Sequence, residues 1–263
     1  MLSQSQVKHI TGLRLKKFRQ EYGQFIAEGH KLVTDLIGSE FCISGIYASA
    51  GWIIENLSLV REKEIPVFET LPREMDRISG LSTPSPVLAV VNIPSPYPSP
   101  FLGEGPGWGS LLLALDDIRD PGNLGTIIRM ADWFGIETIL CSESCVDIYN
   151  PKVVQATMGS ITRVNVISCD LAAALRTMTE RDDGFPVYGA FLEGESLFSR
   201  SHGENGIIVI GNESHGISPE LVPFISRKLF IPSFGTSTTG KAESLNASMA
   251  AAIICAEFRR REL

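Results

Sequence analysis

No apolar run in this sequence of 263 residues approaches the roughly 18 that a membrane-crossing helix requires, so no membrane partner is expected. The opening stretch MLSQSQVKHITGLRLKKFRQ has no apolar core of the secretory kind, and the expected location is the cytoplasm. Cysteine is scarce and scattered: Cys42, Cys141, Cys145, Cys169 and Cys255 are odd in number. Cys141 and Cys145 have neither a second pair nor a nearby histidine, as a zinc site would need. Free thiols and no metal are the expectation. Internal repeats are absent as well. What is present, 44% hydrophobic and 20% charged residues, suits one large or two modest globular domains.

Positive charge is also short, with a net charge of −7, which on its own speaks against a nucleic-acid partner. Its distribution says otherwise. From Met1 to Lys31, Lys8, Arg14, Lys16, Lys17, Arg19 and Lys31 face only Glu21 and Glu28, a local charge of +4. The run GLRLKKFRQEYGQF interleaves Phe18, Tyr22 and Phe25 with that charge. Phosphate attraction and base stacking make such a segment suited to RNA. A solvated amphipathic helix is the alternative reading.

A composition break at NIPSPYPSPFLGEGPGWGS, Asn92 to Ser110, holds too much proline and glycine for helix or central strand. It divides the chain into a small α/β domain (1–92), a linker (93–109) and a larger domain (110–263). In the first, a helix is expected over about Leu13–Tyr22 and another from near Glu28, with short strands in ISGIYAS, IPVFET and PVLAVVNI. In the second, strands and helices alternate from SLLLAL to a final helix starting at Ser244, which predicts a parallel sheet covered on both faces.

Three strand ends carry unusual residues: DDIRDPGNLGTIIR, NESHGIS and FGTSTTGKAESLNAS. Ligands of parallel sheets sit at such carboxyl ends. In the helix after the first, Leu124, Ile127, Ile128, Ala131 and Phe134 share a stripe, while Arg129 and Trp133 lie four apart on the opposite face. An exposed Trp asks for a covering surface. The final helix, SLNASMAAAIICAEF, is apolar or small all round and is expected to be enclosed on every side. The third loop imitates a phosphate-binding P-loop, but Ala242 follows Lys241 where a metal-ligating hydroxyl is needed.

The ordered trio DPGNLGTIIRMADWFG, IVIGNESHGIS and IPSFG…ESLNASMAAAIICAEF resembles the three motifs of the SpoU (TrmH-like) branch of the SPOUT methyltransferases. The resemblance spans about Ser110 to Phe258. The front part, KHITGLRLKKFRQEYGQFIAEGHKLV, is similar to the small RNA-binding domain that many members carry. It implies an α/β fold whose parallel-sheet domain ends in a trefoil knot, and methyl transfer from S-adenosylmethionine to a ribose 2′-hydroxyl. Its motif residues fall on Asn123, Arg129, Glu213, Ser244 and Asn246. Its cofactor contacts fall on the backbone of Gly211, Ile231 and Leu245. Two departures stand out: Ser214 replaces a common Gly, and the third loop is long.

Transfer from a sulfonium needs a positioned 2′-oxygen and help in losing its proton. Arg129 stays protonated, so it is expected to stabilise the developing alkoxide or grip a neighbouring phosphate rather than act as a base. Asn123, Ser244 and Asn246 would orient ribose and cofactor, and Glu213 would fix the loop. His215 is the one histidine nearby, with a surface role as its plain reading. The two-domain layout favours ribosomal RNA over transfer RNA, and a homodimer would cover Trp133. The competing readings are a non-catalytic RNA-binding assembly factor and a P-loop NTPase.

Overall fold

The computed structural model describes residues 1–94, 111–181, 185–199, 203, 205–234 and 243–260. The expected linker and the P-loop-like run around Lys241 and Ala242 lie outside these. Chain contacts divide into two units, Met1–Ser95 with Asp147–Arg163, and Pro96–Val146 with Val164–Leu263. The composition break places residues 147–163 in the second domain. They pack instead on the first, because Ile148, Tyr149, Val154 and Ile161 complete its core, with the Tyr149 ring centroid 4.8 Å from that of Phe25.

The first unit runs α1 (Gln4–Gly12), α2 (Lys16–Tyr22), β1 (Gln24–Glu28), α3 (His30–Ile37), β2 (Ile43–Ala48), α4 (Ala50–Glu55), α5 (Leu57–Glu62), β3 (Val67–Glu69), α6 (Pro72–Ile78) and β4 (Val87–Asn92). Its sheet has the order β1-β4-β2-β3, with β4 antiparallel to both neighbours and β2 parallel to β3. One face buries Phe25, Ala27 and Ile46 against Leu32, Leu36 and Trp52. The other buries Ile26, Tyr47, Leu88 and Val90 against Ile10, Leu13 and Ile78.

Of the helix expected over about Leu13–Tyr22 only Lys16–Tyr22 is helical; α1 lies wholly before that range, and an elbow at Leu13–Leu15 joins it to α2. Ser3 and Gln6 form a reciprocal capping box that starts α1 early. Leu15 is extended (φ −96°, ψ 132°) and begins a second helix. The elbow leaves carbonyls without helical partners, and Arg19 fills it from inside. Its Nη1 donates to the carbonyls of Leu13 and Arg14 at 2.9 and 2.8 Å, while Nε donates to Asp147 Oδ2 at 2.9 Å. Arg19 is 2% exposed, and Phe25 is fully buried, so neither belongs to an RNA-facing surface. That corrects the basic-aromatic segment as read from sequence: part of its charge is internal.

The second unit, as described, runs β5 (Leu111–Leu115), α7 (Pro121–Trp133), β6 (Thr138–Ser142), β7 (Asn165–Cys169), α9 (Leu171–Arg181), β8 (Val187–Ser196), β9 (Gly206–Ile210), β10 (Arg227–Phe230) and α10 (Ala247–Arg259), with α8 (Pro151–Ala156) lying in the first unit. All five strand pairings in the order β10-β8-β9-β5-β6-β7 are parallel, as expected. The central strands are apolar throughout, since both faces are covered: every residue of β5 and β9 is buried.

Helix α10 lies alongside α7 in the same direction. Its N-cap Asn246 meets Asn123 in the first turn of α7, and Arg259 in its last turn donates to the Phe134 carbonyl at 2.9 Å. The expectation that α10 is enclosed on every side does not hold within the chain. Ala247, Ala251, Ile254, Cys255 and Phe258 form a buried stripe at helical spacing, whereas Met249 is 56% exposed. Small residues on the buried stripe allow close contact with the sheet and α7.

Candidate active site

The exits of β5 and β9 are tied together before any catalytic side chain is placed. Asp116 takes the Ser218 backbone N–H on Oδ2 at 2.7 Å, and its own N–H donates to the Ile210 carbonyl at 2.9 Å. Asp117 follows at φ 55°, a left-handed conformation rare outside glycine. It is held there by several groups at once. Its N–H donates to Ser142 Oγ at 2.9 Å, its carbonyl accepts from Asn212 Nδ2 at 2.8 Å, and its carboxylate accepts from Arg119 Nε at 2.8 Å. His215 Nε2 lies 3.1 Å from the same carboxylate, which gives the histidine a structural partner. The Ile118 N–H also donates to Cys145 Sγ at 3.3 Å, fixing the loop from the β6 side.

Burial pushes the Asp117 carboxyl up, but the Arg119 hydrogen bond and charge, helped by Ser144 and His215, outweigh it and hold the group below its ordinary value. A depressed carboxyl contributes stability that is full above its unfolded pKa and is lost as pH falls through the folded one. Asp117→Asn is therefore expected to lower the urea midpoint at pH 7, with the gap to wild type shrinking below about pH 4. A gap that stays constant down to pH 2 would show that charge at Asp117 contributes nothing.

The turn out of β9 is tight. Asn212 and Gly216 exchange two backbone hydrogen bonds, at 3.0 and 2.9 Å, folding Glu213, Ser214 and His215 into a small loop. A Cβ on Gly211 would lie 2.3 Å from the Gly216 carbonyl carbon and 2.4 Å from the Ile217 nitrogen, so only glycine fits there. The Ser214 N–H donates to Asn212 Oδ1 at 2.8 Å; serine at this position, the departure noted above, is accommodated with its side chain outward.

On this frame three of the five expected catalytic residues meet. Asp120 caps α7 by accepting the Asn123 N–H at 2.8 Å, and Pro121 supplies the first helical position. Asn123 thus projects from the first turn. Its Nδ2 donates to Glu213 Oε1 in a very short contact, and its Oδ1 accepts from Asn246 Nδ2 at 2.9 Å. The direction of this chain is dictated at both ends. Glu213 Oε1 accepts from the Asn123 amide, which can offer only its Nδ2 as donor. Asn246 Oδ1 is already committed as the cap of α10, accepting from the Ser248 N–H at 3.0 Å and the Met249 N–H at 3.3 Å. One side chain from each motif therefore joins a single polarised row, Asn246 to Asn123 to Glu213.

Arg129 and Ser244 stand outside the row. Arg129 lies six residues beyond Asn123, about 9 Å further along the α7 axis and turned away by about a third of a revolution. It is exposed and makes no hydrogen bond or ion pair with another described residue. Ser244 is exposed and likewise unbonded among the described residues. Gly211, Ile231 and Leu245 sit where the chain leaves β9, leaves β10 and approaches α10, and Leu245 is 47% exposed. Sequence reasoning had not assigned Asp116, Asp117, Asp120 or Asn212. The signal was present in two consecutive aspartates at a strand end and an Asp-Pro helix start.

Comparison with known proteins places this geometry. The family model for the SpoU rRNA methylase family matches residues 110–256, and that for the MRM3-like substrate binding domain matches residues 4–89. The chain is 26% identical, over 96% of its length and 95% of the other's, to the 23S rRNA (guanosine(2553)-2′-O)-methyltransferase RlmP of Bacillus subtilis. It is 25% identical to the human mitochondrial rRNA methyltransferase 3, covering 96% of this chain and 71% of that one. Among solved structures, the AdoMet-bound rRNA methyltransferase from Sinorhizobium meliloti superposes with a TM-score of 0.85 at 28% identity, covering 100% and 98% of the two chains. A TrmH-family protein from Porphyromonas gingivalis gives 0.83 at 37% identity, covering 99% of each.

Proposed function

The chain belongs to the SpoU rRNA methylase family, and from that premise we propose that it transfers a methyl group from S-adenosylmethionine to a ribose 2′-hydroxyl of ribosomal RNA in the cytoplasm. The observation that carries the reading is the row Asn246–Asn123–Glu213, which unites three motifs distant in sequence at the carboxyl ends of parallel strands. The residues present fit the donor: Gly211 permits the tight turn at the exit of β9, and Leu245, next to Asn246 in the chain, offers an exposed apolar side chain.

When bound, S-adenosylmethionine supplies a methyl group already activated by the sulfonium charge. The backbone at Gly211, Ile231 and Leu245 holds it in place. Asn123 and Asn246, their amides fixed by Glu213 and by the α10 cap, orient the ribose. Arg129 stabilises the negative charge that grows on the 2′-oxygen or holds the adjacent phosphate. Ser244, unbonded among the described residues, is available to the substrate.

A homodimer completes the arrangement. Trp133 is 86% exposed on the same side of α7 as Arg129, and Met249 is exposed on α10. A second copy would cover both, which brings Arg129 to the subunit seam. The deciding experiment is ribose-methylation mapping of ribosomal RNA in cells with and without the gene, with calorimetry of the purified protein. We expect one or a few sites lost on deletion and S-adenosylmethionine binding at micromolar order. Binding of ATP·Mg²⁺ without any donor binding would overturn the reading.

A further inference from the structure

We propose that the C-terminal end of α2, where Tyr22 packs on His9 of α1, docks an unpaired RNA base, with Tyr22 as its stacking platform. This rests on the RNA methyltransferase reading and adds where single-stranded RNA touches the chain.

Tyr22 is the last residue of α2. Gly23, left-handed at φ 60°, turns the chain directly into β1, which leaves Tyr22 at the surface and 47% exposed. Its ring is braced. The His9 ring lies 4.7 Å away at 60°, and Phe18 lies nearly parallel at 6.1 Å and 11°. A braced ring loses little freedom when a ligand lands on it. Beside it runs a row of polar side chains. His9 Nε2 is 2.9 Å from Gln24 Oε1, and Gln24 Nε2 donates to Ser44 Oγ at 2.8 Å and to Asn92 Oδ1 at 2.9 Å.

The charge on these two helices selects the ligand. Lys8, Lys16 and Lys17 are exposed, with Lys17 Nζ 5.9 Å from the Phe18 centroid, and Glu21 is the one acidic residue of α2. Arg19 is spent inside the fold, and Arg14 donates to the carbonyls of Ile78 and Ser79. Of the six cations between Met1 and Lys31, Arg19 is buried, Arg14 is exposed but bonded to two carbonyls, and Lys31 is paired with Asp35, which leaves Lys8, Lys16 and Lys17 unpaired on α1 and α2 among the described residues. An apolar protein partner would want several neighbouring aliphatic residues, whereas Leu15 alone is an exposed aliphatic side chain on α2 and its cap, and Lys16, Lys17 and the Gln24 amide are the other groups on offer. A base stacked on Tyr22 with phosphates on the lysines meets both features. A splayed base can reach the ring; one paired inside a duplex cannot.

The test uses the full-length protein, a short oligoadenylate carrying 2-aminopurine, and an RNA duplex of equal length. Tyr22→Ala is expected to weaken oligoadenylate binding by roughly ten- to a hundredfold and to abolish the stacking-induced fluorescence change. Tyr22→Phe should bind as wild type does. Tyr22→Leu, which keeps apolar packing on His9 and Phe18 without an aromatic face, should lose as much as Tyr22→Ala. Duplex and S-adenosylmethionine binding should not change. Replacing Lys16 and Lys17 by Ala should lower the salt slope by about 0.7 per lost phosphate contact. Unchanged affinity in Tyr22→Ala and Tyr22→Leu, or wild-type binding to duplex alone, overturns the inference and leaves the methyltransferase reading intact. Wild type that binds neither donor nor ribosomal RNA would sink that reading as well.

Discussion

Arg129→Ala is expected to lose about 10²-fold or more in single-turnover methylation of ribosomal RNA, the scale of removing one donor that acts on transition-state charge. The fold should not suffer, because Arg129 is exposed and bonds to no other described residue. Donor affinity should also stay the same, since Arg129 takes no part in the row of Asn123, Glu213 and Asn246. The check pairs rapid-quench kinetics with calorimetry of S-adenosylmethionine. Equal losses in kcat and kcat/KM would fit an interaction made only in the transition state. Unchanged turnover would remove Arg129 from the mechanism. Mixing Arg129→Ala subunits with subunits defective only in donor binding extends the test to the seam. Recovered activity in the mixture supports a dimer in which Arg129 serves the partner's site, and no recovery argues against it.

The largest stability effect is expected from Arg19→Ala, at about 3 kcal/mol, the lower end of what breaking a buried ion pair costs because Asp147 retains some exposure. Three acceptors lose their donor together: the carbonyls of Leu13 and Arg14 and the Asp147 carboxylate. Arg19→Lys should recover only part of this, because an ammonium cannot span the elbow as the planar fork does. Urea unfolding followed by tryptophan fluorescence reads the loss, Trp52 being buried in the same unit. A variant as stable as wild type would show that Asp147–Arg163 does not depend on Arg19 to stay with the first unit.

The parallel sheet was legible because strands buried on both faces must be apolar along their whole length, and LLLAL and GIIVI are. Helix α7 was legible from its stripe and from Arg129 and Trp133 on the far side. The sequence predicts α10 from Ser244 but the helix begins at Ala247, because Asn246 is non-helical (φ −57°, ψ 140°) and its side chain caps the first turn. Strand β1 escaped notice, since QFIAE sits one glycine after a helix and has no turn signal of its own. The elbow at Leu13–Leu15 escaped for a different reason: the pattern reads Leu13 as the start of a helix, and only the buried Arg19 fork, which satisfies the carbonyls of Leu13 and Arg14, shows these residues to be a turn between α1 and α2.

The sequence by itself singled out, through its resemblance to the three family motifs, the residues expected to do the chemistry, because motif order and residue type survive without coordinates. Asn123, Glu213 and Asn246 were named from it. Only the tertiary structure decided that these three bond to one another while Arg129 and Ser244 stand apart, since hydrogen bonds between residues 90 and 123 positions apart leave no trace in spacing. It also decided which charges face outward. Lys16 and Arg19 share one short helix and one sign, yet the first lies in solvent and the second is buried against Asp147, 128 residues away. Charge is a property of composition, but its availability to a ligand depends on which partners the fold brings within reach.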